Sequence, residues 1–108
     1  MPEKIGVVLY SKDSEKAWNA FRLANYALPM DDSVRMFLLG SGVFLESIDT
    51  EKFNVNEQVK TYLDSGGKIW ACGTCLNIHG IKDRGNYITS TMRELYDIIK
   101  ESDRILTF

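Results

Sequence analysis

Apolar residues fall in short dense runs separated by stretches where they recur every third or fourth position. The first run, Lys4 to Tyr10, carries Ile5, Val7, Val8 and Leu9 and predicts a parallel strand covered on both faces. Ser11 to Ser14 supply turn and N-cap side chains, and Glu15 falls in the first helical turn. Ala17, Phe21, Ala24 and Leu28 then recur at helical spacing, with Trp18 widening the stripe. Pro29 and the pair Asp31-Asp32 close that helix. A second buried strand runs from Ser33 to Leu39 and stops at Gly40-Ser41-Gly42.

The piece Val43 to Ile48 is apolar and short, and predicts a short helix across a sheet end. Val43, Phe44 and Leu45 are read two ways there, as subunit contacts or as a cap on the core. Asn54 with Glu57 makes a capping box that opens a helix with Val59, Tyr62 and Leu63 on its apolar face. Gly66-Gly67 stops it, and Lys68 to Ala71 is the third strand. A loop follows, and then a short fourth strand at Tyr87-Ile88-Thr89, after the solvated turn Lys82 to Asn86. Thr91 to Glu94 is a second capping box, Met92, Leu95, Ile98 and Ile99 give the last helix its apolar face, and Ile105 to Phe108 is a final strand. Strand and helix alternate throughout. That predicts one three-layer α/β domain over residues 1–108, with a mainly parallel sheet of about five strands and helices on both faces. In such sheets sites lie beyond the carboxyl ends of the strands, here Tyr10 to Ser14, Gly40 to Val43 and Cys72 to His79.

The 108 residues are 44% hydrophobic, enough for one core. A formal net charge of −2 and scattered basic residues argue against nucleic acid and anionic membrane as partners. No apolar stretch is long enough for a transmembrane helix, and the N-terminal run lacks a signal-peptide cleavage site, so the expectation is a cytoplasmic protein. In a reducing compartment two cysteines spaced C-x-x-C point to chemistry or a metal rather than a structural staple.

The chemistry concentrates in one stretch, which holds both cysteines and the single histidine. Cys72 follows the third strand, where a helix start would favour its thiolate through free backbone N–H groups; the alternative is a buried, inert cysteine. Gly73 lets a backbone or ligand approach closely. Cys75, three residues on, permits a redox pair or two metal ligands. A closed zinc site would still lack a ligand, because His79 is the only other soft donor, so no metal or other cofactor is expected. His79 is read as a proton-transfer group or as a surface residue at a helix end. Ser11 and Ser41, with the backbone of Gly40 and Gly42, are read as pocket lining or as turn residues. No dinucleotide fingerprint, P-loop, serine-hydrolase elbow or carboxylate pair is present.

The segment Cys72-Gly73-Thr74-Cys75-Leu76-Asn77-Ile78-His79-Gly80-Ile81 resembles the C-x-T-C-x-x-x-R-G-I signature of the YchN-like branch of the DsrE/DsrF-like sulfur-relay family. Ser102-Asp103-Arg104-Ile105-Leu106-Thr107-Phe108 resembles the family's terminal A-D-K-V-L-T-F, and Phe21-Arg22-Leu23-Ala24 and Val34 to Leu38 also fit. The resemblance implies a five-stranded parallel domain in a homo-oligomer, commonly a trimer or hexamer, that takes sulfur from a donor protein and hands it to an acceptor. It implies Cys72 as the persulfide carrier and matches Cys75 to the second cysteine of that branch; Cys75 is read as a second thiol that releases or traps the sulfur by exchange. Gly73, Thr74, His79, Ser11 and Ser41 are the expected substrate-binding positions. A thiol–disulfide redox protein and a non-catalytic oligomeric binding module are the alternatives. The chain departs from the pattern at His79, where the family has an arginine, so the fixed charge becomes a conditional one.

Overall fold

The computed structural model describes residues 2–83 and 85–108. Five strands form one sheet: β1 (Lys4–Leu9), β2 (Ser33–Leu38), β3 (Lys68–Cys72), β4 (Ile88–Ser90) and β5 (Arg104–Thr107). Their order is β4-β3-β2-β1-β5 and every pairing is parallel, so the sheet is not mainly but wholly parallel among the described strands.

The near-continuous apolar runs are explained by burial on both faces. Val7, Leu9, Val34, Met36, Leu38, Ile69 and Ala71 pack on one side with α1 (Ser14–Ala27) and α2 (Val55–Asp64). Val8, Phe37 and Cys72 pack on the other with Leu95 and Ile98 of α4 (Met92–Glu101). Gly6 makes the α4 approach close, because a Cβ there would sit 2.7 Å from Ile105 and 2.8 Å from Ile98. Asp13 caps α1 by accepting from the Lys16 N–H at 3.0 Å. Asn54 accepts from the Glu57 N–H at 3.1 Å and its amide returns to the Glu57 carboxylate at 3.3 Å. Thr91 caps α4 through the Arg93 N–H at 3.3 Å rather than through the Glu94 N–H a capping box would use.

Three sequence expectations are settled or changed. After β3, where the sequence leaves a loop and a helix start both open, the chain forms a six-residue helix, α3 (Gly73–Ile78), with Cys72 itself as its N-cap. The apolar piece after β2 is a 3-10 segment, Gly40–Ser47, in which Val43 and Leu45 are fully buried in this chain's own core; that leaves them no role as subunit contacts, and Phe44 alone is half-exposed. The fourth strand exists, one residue later than expected, at the sheet edge beside β3. Within the turn expected over Lys82 to Asn86, Arg84 lies outside the described residues.

Candidate functional site: a thiol pair at the end of the third strand

Parallel pairing puts all five carboxyl strand ends on one edge, and β3 delivers Cys72 to it. Cys72 is the last residue of β3 and the N-cap of α3, with extended backbone (φ −62°, ψ 117°). That geometry turns its side chain back over the helix start, where the sulfur accepts the Cys75 N–H at 3.5 Å. An N–H aimed at the sulfur is a donor for negative charge on a sulfur atom added to it. Only 4% of Cys72 is exposed, and Val8, Phe37 and Ile98 pack around it.

The way in is an open cavity of about 450 Å³ lined by Cys72, Gly73, Thr74 and Cys75 on one side. The β4–α4 junction, Thr89 to Met92, lines the other. Gly73 has no side chain where a Cβ would meet the Thr89 methyl at 3.2 Å and the Ser90 carbonyl at 3.4 Å. The absence of that atom lets the junction close on the helix start and shape the cavity.

Cys75 is half-buried and both cysteines are free thiols. Its sulfur accepts the backbone N–H of Gly40 at 3.2 Å, across from the end of β2. Gly40 adopts the left-handed backbone (φ +56°), and the ring of Tyr10 lies against it, 2.9 Å from where a Cβ would be. Burial pushes the Cys75 thiol up first; the hydrogen bond and charge of Cys72 add to this, and the Gly40 N–H opposes it. The Cys75 thiol therefore keeps its proton to higher pH than an ordinary cysteine.

Of the seven residues expected at the site, Cys72, Gly73, Thr74 and Cys75 line this cavity. The other three lie elsewhere. Ser11 accepts the Asp13 N–H at 3.0 Å and holds the turn after β1. Ser41 donates to the Tyr10 carbonyl at 3.4 Å. His79 is exposed, its ring tilted against Phe44 at 4.9 Å between centroids, and it lines a separate cavity of about 370 Å³ with Glu46, Lys82 and Tyr87.

Sequence reasoning missed Thr89, Ser90, Thr91 and Met92, and missed Gly40 as a partner of Cys75. The first four follow from the register, Cys72 beside Ser90, which needs the strand order that local patterns do not carry. Among the described residues no cluster of three His, Cys, Asp or Glu side chains could hold a metal ion, and no helix is long and apolar enough to cross a membrane.

Comparison with known proteins gives one answer at the family level. The model of the DsrE/DsrF-like family matches residues 3–108. An uncharacterized protein of Methanocaldococcus jannaschii is 33% identical over 100 residues, covering 87% of this chain and 88% of that one. One from Methanopyrus kandleri is 32% identical over 102 residues, covering 87% and 83%. Among solved structures, the ychN protein from E. coli superposes with a TM-score of 0.83 at 22% identity over 100% of both chains. A conserved protein of unknown function from Bacteroides thetaiotaomicron gives 0.80 at 20% identity over 98% and 95%. The two structures speak for the fold alone.

Proposed function

The chain belongs to the DsrE/DsrF-like family, which is associated with sulfur relay, and from that premise we propose that it carries sulfur as a persulfide on Cys72. The observation that carries the reading is the placement of Cys72: at a strand end, against a backbone N–H, on the wall of an open cavity. Loading is an exchange. The Cys72 thiolate attacks the outer sulfur of a donor persulfide, R–S–SH. The new bond is Cys72 Sγ–S, the donor S–S bond breaks, and R–S⁻ leaves. The loaded sulfur carries negative charge, which the Cys75 N–H is placed to meet. Transfer reverses the roles, with an acceptor thiolate attacking the outer sulfur.

The reading calls for a donor protein and an acceptor protein and for a reducing compartment, the cytoplasm. It also includes assembly into a homo-oligomer, supported by the exposed Ile88, Met92, Tyr96 and Ile99 on β4 and α4 beside the cavity. A solution mass equal to one chain removes the assembly part.

Intact-mass spectrometry after incubation with glutathione persulfide tests the central claim. A gain of one sulfur mass in the Cys75→Ser variant, absent from Cys72→Ser, is the expected result. A gain that survives Cys72→Ser reverses the assignment.

A further inference from the structure

Cys75 has two relations that a structural thiol would not need. It opens on the same cavity as Cys72, whose sulfur its backbone N–H meets at 3.5 Å, and its own sulfur receives a backbone N–H from a different strand end, at 3.2 Å. That N–H comes from a glycine in a left-handed conformation, pinned beneath an aromatic ring. The arrangement presents a proton to the neighbouring sulfur and, on the far side, a donor for the charge left behind when that proton departs. This is the geometry of an attacking group held in readiness.

Resting on the relay reading above, we propose that Cys75 and the Gly40 N–H form a discharge device, which expels the sulfur carried by Cys72 as hydrosulfide and leaves a Cys72–Cys75 disulfide. The step balances without an outside oxidant. Cys75 Sγ attacks Cys72 Sγ and a new S–S bond forms between them. The bond from Cys72 Sγ to the carried sulfur breaks, and that sulfur leaves with the electron pair. The proton of Cys75 goes to it, so Cys72–S–S⁻ and Cys75–SH become the disulfide and HS⁻. The carried sulfur is reduced and the two cysteines are oxidised. A dithiol, as co-reactant, returns the pair to its two free thiols.

The same geometry explains why the pair does not discharge prematurely. With Cys72 unloaded, burial and the adjacent Cys72 sulfur hold the proton on Cys75. Loading moves the negative charge one atom outward, away from Cys75, and creates the S–S bond that Cys75 can attack. The Gly40 N–H then faces the Cys75 sulfur as it gives up its proton, before its charge passes through Cys72 to the departing sulfur. The carried sulfur thus has two outlets: an acceptor thiol in the cavity, which leaves Cys72 reduced, and the internal route, which releases sulfide and leaves the protein oxidised.

The test follows protein loaded from glutathione persulfide, freed of excess donor, by intact mass and by sulfide assay over time. In wild type the sulfur adduct is expected to give way to a species two hydrogens lighter than unloaded protein. One hydrosulfide should appear per disulfide, and dithiothreitol should restore the starting mass. Cys75→Ser should keep its adduct and release no sulfide. Gly40→Ala made together with Tyr10→Ala, which removes the ring a new Cβ would strike, keeps the N–H but strains the left-handed backbone that aims it, and should discharge more slowly than wild type. An adduct as long-lived in wild type as in Cys75→Ser overturns the discharge device and leaves the relay reading standing. An unloadable Cys75→Ser variant overturns the relay reading and this one with it.

Discussion

The backbone N–H of Gly40 reaches the sulfur of Cys75 at 3.2 Å, and so joins the end of the second strand to the helix that follows the third. The contact links two segments 35 residues apart at the edge where parallel α/β sheets place their chemistry. It also gives Cys75 an environment distinct from that of Cys72, whose sulfur takes its N–H from within the same helical turn.

That asymmetry predicts how Cys75 alkylates. Burial, then the hydrogen bond its thiol donates to Cys72, raise its pKa, so the reactive thiolate is scarce at neutral pH and accumulates as pH rises. Cys72→Ala removes the hydrogen bond and the charge but leaves the burial. The pH profile of iodoacetamide labelling at Cys75 should therefore move to lower pH in that variant without reaching that of a free thiol. A profile that stays in place would show that the two sulfurs do not interact.

Tyr62 predicts the alkaline limit of the fold. Its hydroxyl is buried between the Val34 carbonyl at 3.2 Å and the Lys68 carbonyl at 2.7 Å, joining β2 to the start of β3. Burial raises its phenol well above the ordinary tyrosine value, and Tyr87 is raised by the same cause. The unfolded chain releases these protons near the ordinary value, about pH 10, while the folded chain still holds them. Their contribution is thus complete below that pH and is lost as pH rises beyond it. Thermal unfolding should show a Tm that falls steeply above about pH 10, and less steeply in Tyr62→Phe. At neutral pH that variant loses about 1–3 kcal/mol, because two buried carbonyls lose their donor.

Two glycines of the fold should respond to alanine in different ways. A Cβ on Gly42 would sit 2.1 Å from the Leu9 carbonyl oxygen, a backbone atom that cannot turn aside. Gly66 has φ +91° and nothing within 4 Å of where a Cβ would be, so only conformational strain opposes the change. Gly42→Ala should cost about 3 kcal/mol or more and Gly66→Ala about 1–2 kcal/mol, read by urea denaturation. Equal losses would mean that the Gly42–Leu9 approach relaxes.

These cases mark how far the sequence could be read. The buried runs at Val7-Val8-Leu9 and Met36-Phe37-Leu38 declare a two-sided parallel sheet because both alternating faces are apolar. Caps at Asn54 and Asp13 are legible because side chain and N–H lie within one turn. The position of Cys72 was legible because an apolar run that breaks at Gly73 has few ways to continue. What stayed hidden depends on strand order: that Ser90 lies beside Cys72, that Gly40 reaches Cys75, and that Gly67 is bare where a Cβ would strike the Tyr62 ring at 2.4 Å. The helix after Cys72 was legible only as an alternative to a loop, because six residues give too little periodicity and a cysteine is an unusual cap.

His79 tests whether a family position keeps its role when its residue changes. It stands where the resembled signature has an arginine, which would suit an anionic sulfur species. In this chain its ring tilts against Phe44, with the Lys12 ammonium 5.6 Å from the other partner's centroid, in a cavity apart from the thiols. No residue lining that cavity also lines the thiol cavity. His79→Ala should therefore leave the extent of sulfur loading on Cys72 unchanged, at pH values both below and above the ordinary histidine range, when measured by intact mass. Loading that falls in His79→Ala, and falls further as pH rises through that range in wild type, would mean that the imidazolium assists the anion from a distance. His79→Arg would then abolish the pH dependence, because a guanidinium keeps its charge throughout.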